Sequence, residues 1–299
     1  MNNKLIVPIV ILIAGVLILV GGYMILTPHQ ESIDEGQDDT EEHVGESSSG
    51  AHMPKMTVSA ERLEKNAKPS FEVGKKYKYK TTSQRTENYC TDRWCKNETR
   101  MYNMLSEFSV EKTERIDGKE CYVVSRRIDR KFTAEEKREM RRGMSEEVIE
   151  ELEKRVNSRV TNFCYDKETG RCTQVKESSW NSDITLTKEM AESAALESIL
   201  FSEWMLALSD DFIWERKINS SHDMGEEIEI EEYLVNGREK VNGRECFKVE
   251  ITSKIDDIGK QKRNSITIIW VDVKERIMVK TTTRWEGLST SETELVDEQ

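Results

Sequence analysis

The stretch DGKECYVV at residues 117–124 recurs as NGRECFKV at residues 242–249. In both copies an Asp-Gly or Asn-Gly pair comes directly before an apolar run, which is the strongest short signal for a β-hairpin. Each copy also follows a strand-like stretch, at residues 104–116 in the first and 228–241 in the second. The two stretches therefore predict two antiparallel hairpins of the same kind.

A second pair of matching segments follows the hairpins. FCYDKETGR at residues 163–171 resembles IWVDVKER at residues 269–276, and each indicates a strand, an Asp-led turn and a returning strand. The first half also holds a charged insertion, residues 133–155, whose apolar spacing predicts a helix. A duplication is the simplest explanation, with halves at 74–180 and 210–296, because adjacent units bury a shared face. Chance similarity between two β-meanders is the alternative.

A second helix is predicted between the halves, at residues 187–208, where apolar residues recur at mostly helical spacing. This stripe either covers the sheet as core or lines a ligand cavity. The ligand-lining candidates are Leu196, Leu200, Trp204 and Leu208. Residues 69–299 are thus predicted to form an α+β domain, a curved antiparallel β-sheet (half-barrel) built from two related halves with helices on its concave side.

An uncharged apolar run at residues 5–26 is long enough, as a helix, to cross a hydrocarbon core of about 30 Å. Lys4 precedes the run and acidic residues follow it. This asymmetry predicts a single-pass protein of the cell membrane, with residues 1–4 in the cytoplasm and the C-terminal domain outside. A cleaved signal peptide is the alternative, but its apolar region would be about 7–15 residues and small residues would follow it.

Residues 27–68 are predicted to form a disordered tether. The stretch from Glu31 to Glu46 is acidic and almost free of large apolar groups, so it cannot bury enough surface to offset its ordering entropy. A short helix at residues 59–68 is expected to close this tether.

Six cysteines in a chain predicted to be exported favour disulfide bonds. Two pairs bracket short loops and are predicted to bond, namely Cys90 with Cys95 and Cys164 with Cys172. Cys121 and Cys246 hold equivalent places in the two halves. They bond each other if their strands are neighbours, and otherwise each is a small buried apolar residue. Asn97 and Asn219 begin N-x-S/T sequons and are glycosylation candidates, which agrees with an outside location.

Charge and motifs exclude several classes of function. With 45 Lys and Arg against 57 Asp and Glu, the net charge is −12. The chain therefore lacks the basic excess that nucleic-acid binding and a polybasic grip on lipid require. Of the four histidines only His222 falls in the predicted outer domain, and no phosphate loop or metalloprotease motif is present. The sequence predicts a non-enzymatic protein with no catalytic residue, metal or cofactor.

The segments NGRECFKVEI at residues 242–251 and IIWVDVKERIMVKT at residues 268–281 resemble the LolA/LppX-like lipoprotein-carrier superfamily. The resemblance covers mainly residues 226–296, with a weaker echo in 74–180. The family pattern has Gly-x-Pro after the Asp-led turn, where this chain has Arg276-Ile277-Met278. No cysteine for lipidation follows the apolar run. The resemblance implies a half-barrel sheet that cups apolar cargo, often an acyl chain.

These features predict a membrane-tethered extracytoplasmic domain that binds lipid or another apolar ligand and no nucleic acid. The alternative is a protein-interaction or structural module of the cell envelope, with the concave side filled by its own side chains.

Overall fold

The computed structural model describes residues 55–60, 62–90, 95–179, 182–186, 191, 195, 198–222, 225–257, 263–285 and 289–299. Thirteen β-strands in these ranges form one sheet in which all neighbouring strands are antiparallel. The strands are β1 (Lys55–Ala60), β2 (Lys76–Cys90), β3 (Cys95–Ile116), β4 (Lys119–Asp129), β5 (Val160–Asp166), β6 (Cys172–Ser179), β7 (Ser182–Thr185), β8 (Ile213–His222), β9 (Gly225–Val241), β10 (Arg244–Asp257), β11 (Arg263–Asp272), β12 (Met278–Trp285) and β13 (Ser289–Glu298).

The strands lie side by side in the order β1-β8-β9-β10-β11-β12-β13-β2-β3-β4-β5-β6-β7. This sheet is strongly curved. Phe201 contacts Tyr165 of β5, and Trp204 contacts Tyr233 of β9, each with ring centroids 5.1 Å apart. In a flat sheet these two strands would be about 38 Å apart, whereas three residues of chain span at most about 11 Å. Because side chains stand roughly perpendicular to a sheet, only curvature brings both strands to one segment.

The two predicted hairpins are present. Asp117 and Gly118 join β3 to β4 with φ of 49° and 80°, and Asn242 and Gly243 join β9 to β10 with φ of 49° and 79°. Positive φ at both central residues defines the tight turn whose twist matches that of the flanking strands. The Asp-Gly and Asn-Gly pairs therefore fix the register of both hairpins.

Two short helices lie in the charged insertion. α1 (Ala134–Met140) begins with a capping box, in which Thr133 and Glu136 bond each other's backbone N–H at 3.2 and 2.7 Å. α2 (Glu146–Ser158) begins at Ser145, whose hydroxyl accepts from the Val148 N–H. The insertion is thus two helices, where a single one was predicted.

The prediction of an α+β domain is wrong. Apart from α1 and α2, the residues that the structure describes contain one five-residue 3-10 helix, Glu203–Ala207, and two helical residues, Ala191 and Ala195. The rest of the described regular structure is sheet. Of the helix expected at residues 187–208, most of residues 187–197 lie outside the described part, and residues 198–208 are irregular apart from the 3-10 helix.

The N-terminal predictions fall mainly outside the described part of the chain. Residues 5–26, expected to form a transmembrane helix, lie outside it, and the helices inside it are too short and too polar to span a bilayer. The predicted tether overlaps the fold. Residues 55–60 form β1, and the backbone N–H groups of Asn66 and Ala67 donate to the Leu206 carbonyl at 2.9 and 3.1 Å. Residues 62–68 are not helical.

Candidate functional site

Residues 198–212, called the strap, run across the inner face of the curved sheet. Seven large apolar side chains of the strap are each at most 6% exposed: Leu200, Phe201, Trp204, Met205, Leu206, Leu208 and Phe212. They form one core cluster with side chains of ten strands, from Val175 of β6 to Tyr233 of β9. The strap therefore fills the apolar part of the inner face.

The structure places three of the four ligand-lining candidates in this core. Leu200, Trp204 and Leu208 are 0%, 3% and 1% exposed, and Leu196 lies outside the described residues. The three described side chains pack against the sheet, so they present no apolar surface to an open cavity.

Two related turns, which begin at Asp166 and Asp272, contact the strap. The Asp166 carboxylate accepts from the backbone N–H groups of Glu168 and Thr169 at 2.9 and 2.8 Å. The Asp272 carboxylate accepts from those of Lys274 and Glu275, both at 2.8 Å. Backbone polar groups that would be costly to bury unpaired are thereby satisfied in the same way in both halves. The duplication itself stays a prediction.

The last residue of each turn has positive φ and contacts the strap, but in different ways. Gly170 (φ 69°) lies against it so closely that a Cβ there would be 2.5 Å from Leu206 Cδ1 and 3.1 Å from Phe201 Cζ. Arg276 (φ 57°) donates to the Leu208 carbonyl at 3.0 Å and stacks on Phe247, 4.8 Å from the ring centre. The turn of the first half fits against the strap because Gly170 has no side chain, whereas the turn of the second half bonds the strap through the long side chain of Arg276.

Beyond the strap the inward-facing residues change from apolar to polar along many strands. Members of this polar tier that are no more than 9% exposed are Thr81, Ser106, Arg126, Thr161, Arg216, Ser253, Ser265 and Thr293. Hydroxyls pair across strands, with Thr81 2.9 Å from Thr293 and Thr267 3.0 Å from Thr283. An acyl chain in this tier would desolvate polar groups without offering them hydrogen bonds.

The polar tier holds a buried ion pair. Arg216 of β8 lies opposite Glu231 of β9 and forms a salt bridge with it, at side-chain exposures of 8% and 14%. The Tyr233 hydroxyl donates to the same carboxylate at 2.8 Å, and the guanidinium lies 5.5 Å from the Tyr233 ring centre. Burial raises the pKa of Tyr233 well above its usual value; the Arg216 charge opposes this shift and the Glu231 charge adds to it. This hydroxyl therefore stays a donor. Sequence reasoning missed the pair because only the β8–β9 register brings its members together.

The carboxyl group of Glu229, two residues before Glu231, is expected to make the unfolding free energy depend on pH. Burial raises its pKa above 4.5, and the Ser253 hydroxyl bonds its carboxylate. A carboxyl whose pKa is higher in the folded state favours folding below the unfolded pKa, and this contribution is lost as pH rises through the folded pKa. We therefore expect Glu229→Gln to match the wild type in unfolding free energy near pH 4, and to become the more stable form as pH rises.

The measurement for Glu229 is urea unfolding from about pH 4 to pH 8. Glu232→Gln is the matched control, because Glu232 is exposed on the opposite face of the same strand. A difference between Glu229→Gln and wild type that stays constant with pH would contradict the prediction.

The predicted Cys164–Cys172 disulfide is absent, and both residues are free. Cys172 lies opposite Tyr165 and packs in the main core, whereas Cys164 lies opposite Gln174 and packs with Cys121 on the outer face. A register irregularity between Cys164 and Tyr165 places the two sulfurs on opposite faces. Burial raises the pKa of Cys164 to about 11 and of Cys172 to about 12, so both stay protonated at neutral pH.

The other cysteine predictions have different outcomes. Cys121 and Cys246 are buried and free, and cannot bond because five strands (β11, β12, β13, β2 and β3) separate β10 from β4. Each is therefore a small apolar residue. Cys90 and Cys95 are direct register partners on β2 and β3. Their side chains lie outside the description, so that disulfide stays a prediction.

The remaining predicted site residues do not converge. Asn219 is half-buried on β8, and Asn97 lies on β3 with its side chain outside the description. Both sequons stay predictions. In the described ranges no group of three or more His, Cys, Asp or Glu side chains has an arrangement that would hold a metal ion.

No protein-family model and no curated protein matches the chain. The solved structures similar to it include the following three. A protein of Bacteroides fragilis described as exported, with a YmcC-like fold, is 9% identical, with a TM-score of 0.31, over 78% of this chain and 99% of its own. A protein of Parabacteroides distasonis described as a lipoprotein is 8% identical, with a TM-score of 0.34, over 76% and 96%.

The third structure is the hypothetical lipoprotein YmcC of Escherichia coli, 12% identical, with a TM-score of 0.28, over 73% of this chain and 87% of its own. The three descriptions refer to exported proteins or lipoproteins, and none names the LolA/LppX-like carriers. Since every TM-score is below 0.5, nothing about function is inferred from these proteins.

Proposed function

We propose that this chain is a non-enzymatic, extracytoplasmic module of the cell envelope that acts through its outer surface. The burial of the strap carries the proposal, because it occupies the place where an apolar ligand would lie. The apolar run at residues 5–26, with the acidic residues after it, supports attachment to a membrane with the sheet outside.

The free energy contributed by burial of the strap indicates that the strap is a permanent part of the core and is not displaced by a ligand. Seven large apolar side chains, each contributing about 1.5–3 kcal/mol when buried, stabilise the fold by more than about 10 kcal/mol. A whole domain is stable by only about 5–15 kcal/mol. The strap is also fixed by backbone bonds, since the Met278 N–H donates to the Leu200 carbonyl at 2.9 Å. A ligand that displaced the strap would therefore unfold the protein.

Photolabelling tests this proposal. We expect that a diazirine-bearing palmitate, added to the full chain in phospholipid vesicles and irradiated, labels only peptides from residues 1–54. Label on the strap or on the inward residues of β2–β6 and β9–β13 would overturn the filled-core function and favour a lipid carrier.

A cavity variant serves as the positive control for the photolabel. Trp204→Ala leaves an apolar space beside Tyr233 and Trp214, which lie 5.0 Å apart by ring centroids. Engineered apolar cavities stay dry and take up apolar ligands. This variant is therefore expected to be labelled at the strap, which shows that the probe reaches the inner face when room exists.

A further inference from the structure

The inner face of β11, β12, β13 and β2 carries two adjacent rows of mostly hydroxyl-bearing residues, called the hydroxyl platform. One row runs across the strands as Thr267, Thr283, Ser291 and Ser83, and the next row as Ser265, Trp285 and Ser289. Ser83 lies two residues after Thr81, a member of the polar tier, so the pleat puts both on the inner face. The hydroxyl platform therefore continues the polar tier along these four strands.

Solvent reaches the hydroxyl platform but not the far end of the same tier. Apart from the buried Ser265, every member of the platform is half-buried. The Ser265 row continues through Ser253 to Glu231 and Arg216. There the side chains of the ion pair are only 14% and 8% exposed. The polar tier is thus closed at β8 and β9 and accessible at β12, β13 and β2.

The apolar core does not account for the position of Trp285. Its side chain is half-buried, lies between Ser265 and Ser289 in the register, and is not among the residues that form the core or pack against it. In the part of the chain that the structure describes, no aromatic ring or cation stacks on its indole, and no acceptor bonds the indole N–H. Trp204, by contrast, is 3% exposed and packs on Tyr233. An inward indole among hydroxyl groups is a surface on which a ligand can stack.

We propose that the hydroxyl platform binds an uncharged saccharide, with one sugar ring stacked on Trp285. Each Ser or Thr hydroxyl both donates and accepts hydrogen bonds, and the hydroxyl groups of a sugar need partners of both kinds. The C–H face of a sugar ring is apolar and packs on the indole, whose electron-rich face attracts C–H groups. This binding is separate from the outer-surface function proposed above, and it leaves the strap in place.

Other classes of ligand fit the hydroxyl platform less well. An acyl chain would bury its hydroxyl groups without offering them hydrogen bonds. An anion would need Lys or Arg, and neither occurs in the two rows on β11, β12 and β13. On β2, Arg85 is the register partner of Ser289, and its side chain lies outside the described part. The platform is therefore uncharged around Trp285 and Thr283, where we place the sugar.

The dimensions of the hydroxyl platform suit a short oligosaccharide. Four neighbouring strands span about 14 Å, and the two rows are about 7 Å apart. The hydroxyl groups of Thr267 and Thr283 already bond each other at 3.0 Å. This bond fixes both hydroxyls and leaves each of them able to accept another hydrogen bond. A site fixed in this way loses little conformational freedom when it binds.

Binding of the full chain to a printed set of uncharged and acidic bacterial oligosaccharides tests the proposal, in a detergent whose head group is not a sugar. We expect the chain to bind at least one uncharged oligosaccharide, and calorimetry with that oligosaccharide gives the dissociation constant. Trp285→Ala is expected to raise this constant about tenfold, because the stacking surface is lost. Thr283→Val, which removes one hydroxyl at nearly constant shape, is expected to raise it about fivefold. Thr283→Ser keeps the hydroxyl and is expected to bind like the wild type.

Two residues of the outer face provide matched controls. Trp270 of β11 lies between Lys248 and Lys280 in the register, and Thr282 is the neighbour of Thr283 that points to the other face. Trp270→Ala and Thr282→Val are expected to leave the dissociation constant within about twofold of wild type. A chain that binds no printed oligosaccharide, or acidic ones only, overturns the proposal. Equal losses for Trp285→Ala and Trp270→Ala also overturn it. None of these results affects the palmitate photolabelling of the filled core, so the two proposals fail separately.

Discussion

We expect Gly170→Ala to lower the free energy of unfolding by about 3 kcal/mol, whereas Gly118→Ala costs about 1 kcal/mol. Both glycines have positive φ, 69° and 80°, so alanine strains the backbone at each. At Gly118 nothing lies within 4 Å of the added methyl group. At Gly170 the methyl group meets Leu206, which is fully buried in the strap and has no room to move. The difference between the variants therefore measures how tightly the turn fits the strap.

Urea unfolding followed by circular dichroism gives both values. A second test is the pairing of Gly170→Ala with Leu206→Ala. Leu206→Ala alone leaves a cavity, and the Gly170 methyl group partly fills it, so the two losses are expected to add to more than the loss of the double variant. Equal losses for Gly170→Ala and Gly118→Ala would show that the strap yields to the turn.

The local turns were predictable from sequence because their conformation depends on the residues within them. Asp117-Gly118 and Asn242-Gly243 adopt the positive φ values that these residue pairs favour. The curvature of the sheet and the order of its strands were not predictable to the same degree. They depend on which distant strands meet one short segment, and no local pattern encodes that.

The strap shows the limit of periodicity. Apolar residues between 187 and 208 fit helical spacing, yet regular structure among residues 198–212 is one 3-10 turn, at Glu203–Ala207. Helical spacing has meaning when one side of a segment faces water. Phe201 and Trp204 instead contact the distant strands β5 and β9, so the segment is enclosed on several sides and the helical spacing of its apolar residues does not indicate a helix there.

The faces of the strands show a second limit. Cys164 and Cys172 bracket a turn as a disulfide pair would, but one extra residue on β6 moves Cys172 to the inner face. A shift of a single residue reverses the face of every side chain that follows. The alternation of Ile228 to Glu231 likewise revealed a strand, but the sequence did not tell which set faces inward. The apolar set faces out, contrary to the usual rule.

We expect Glu231→Gln to cost about 3–5 kcal/mol of unfolding free energy, because it removes one partner of a buried ion pair and leaves Arg216 without its salt bridge. The amide still accepts the bond from the Tyr233 hydroxyl, so the loss isolates the charge. Replacing both partners, as Arg216→Met with Glu231→Leu, is expected to cost far less, since apolar residues of similar size often substitute for a buried pair without loss.

The neighbouring residue provides the control for this charge. Glu232 pairs with Lys254 at 3.0 Å on the outer face of the sheet, with side chains 51% and 55% exposed. Glu232→Gln is expected to change the unfolding free energy by less than about 1 kcal/mol, and salt should screen that change. The loss at Glu231 is expected to persist in 1 M salt, because water and ions do not reach a pair this buried. Losses of equal size at Glu231 and Glu232 would mean that the polar tier is open to solvent.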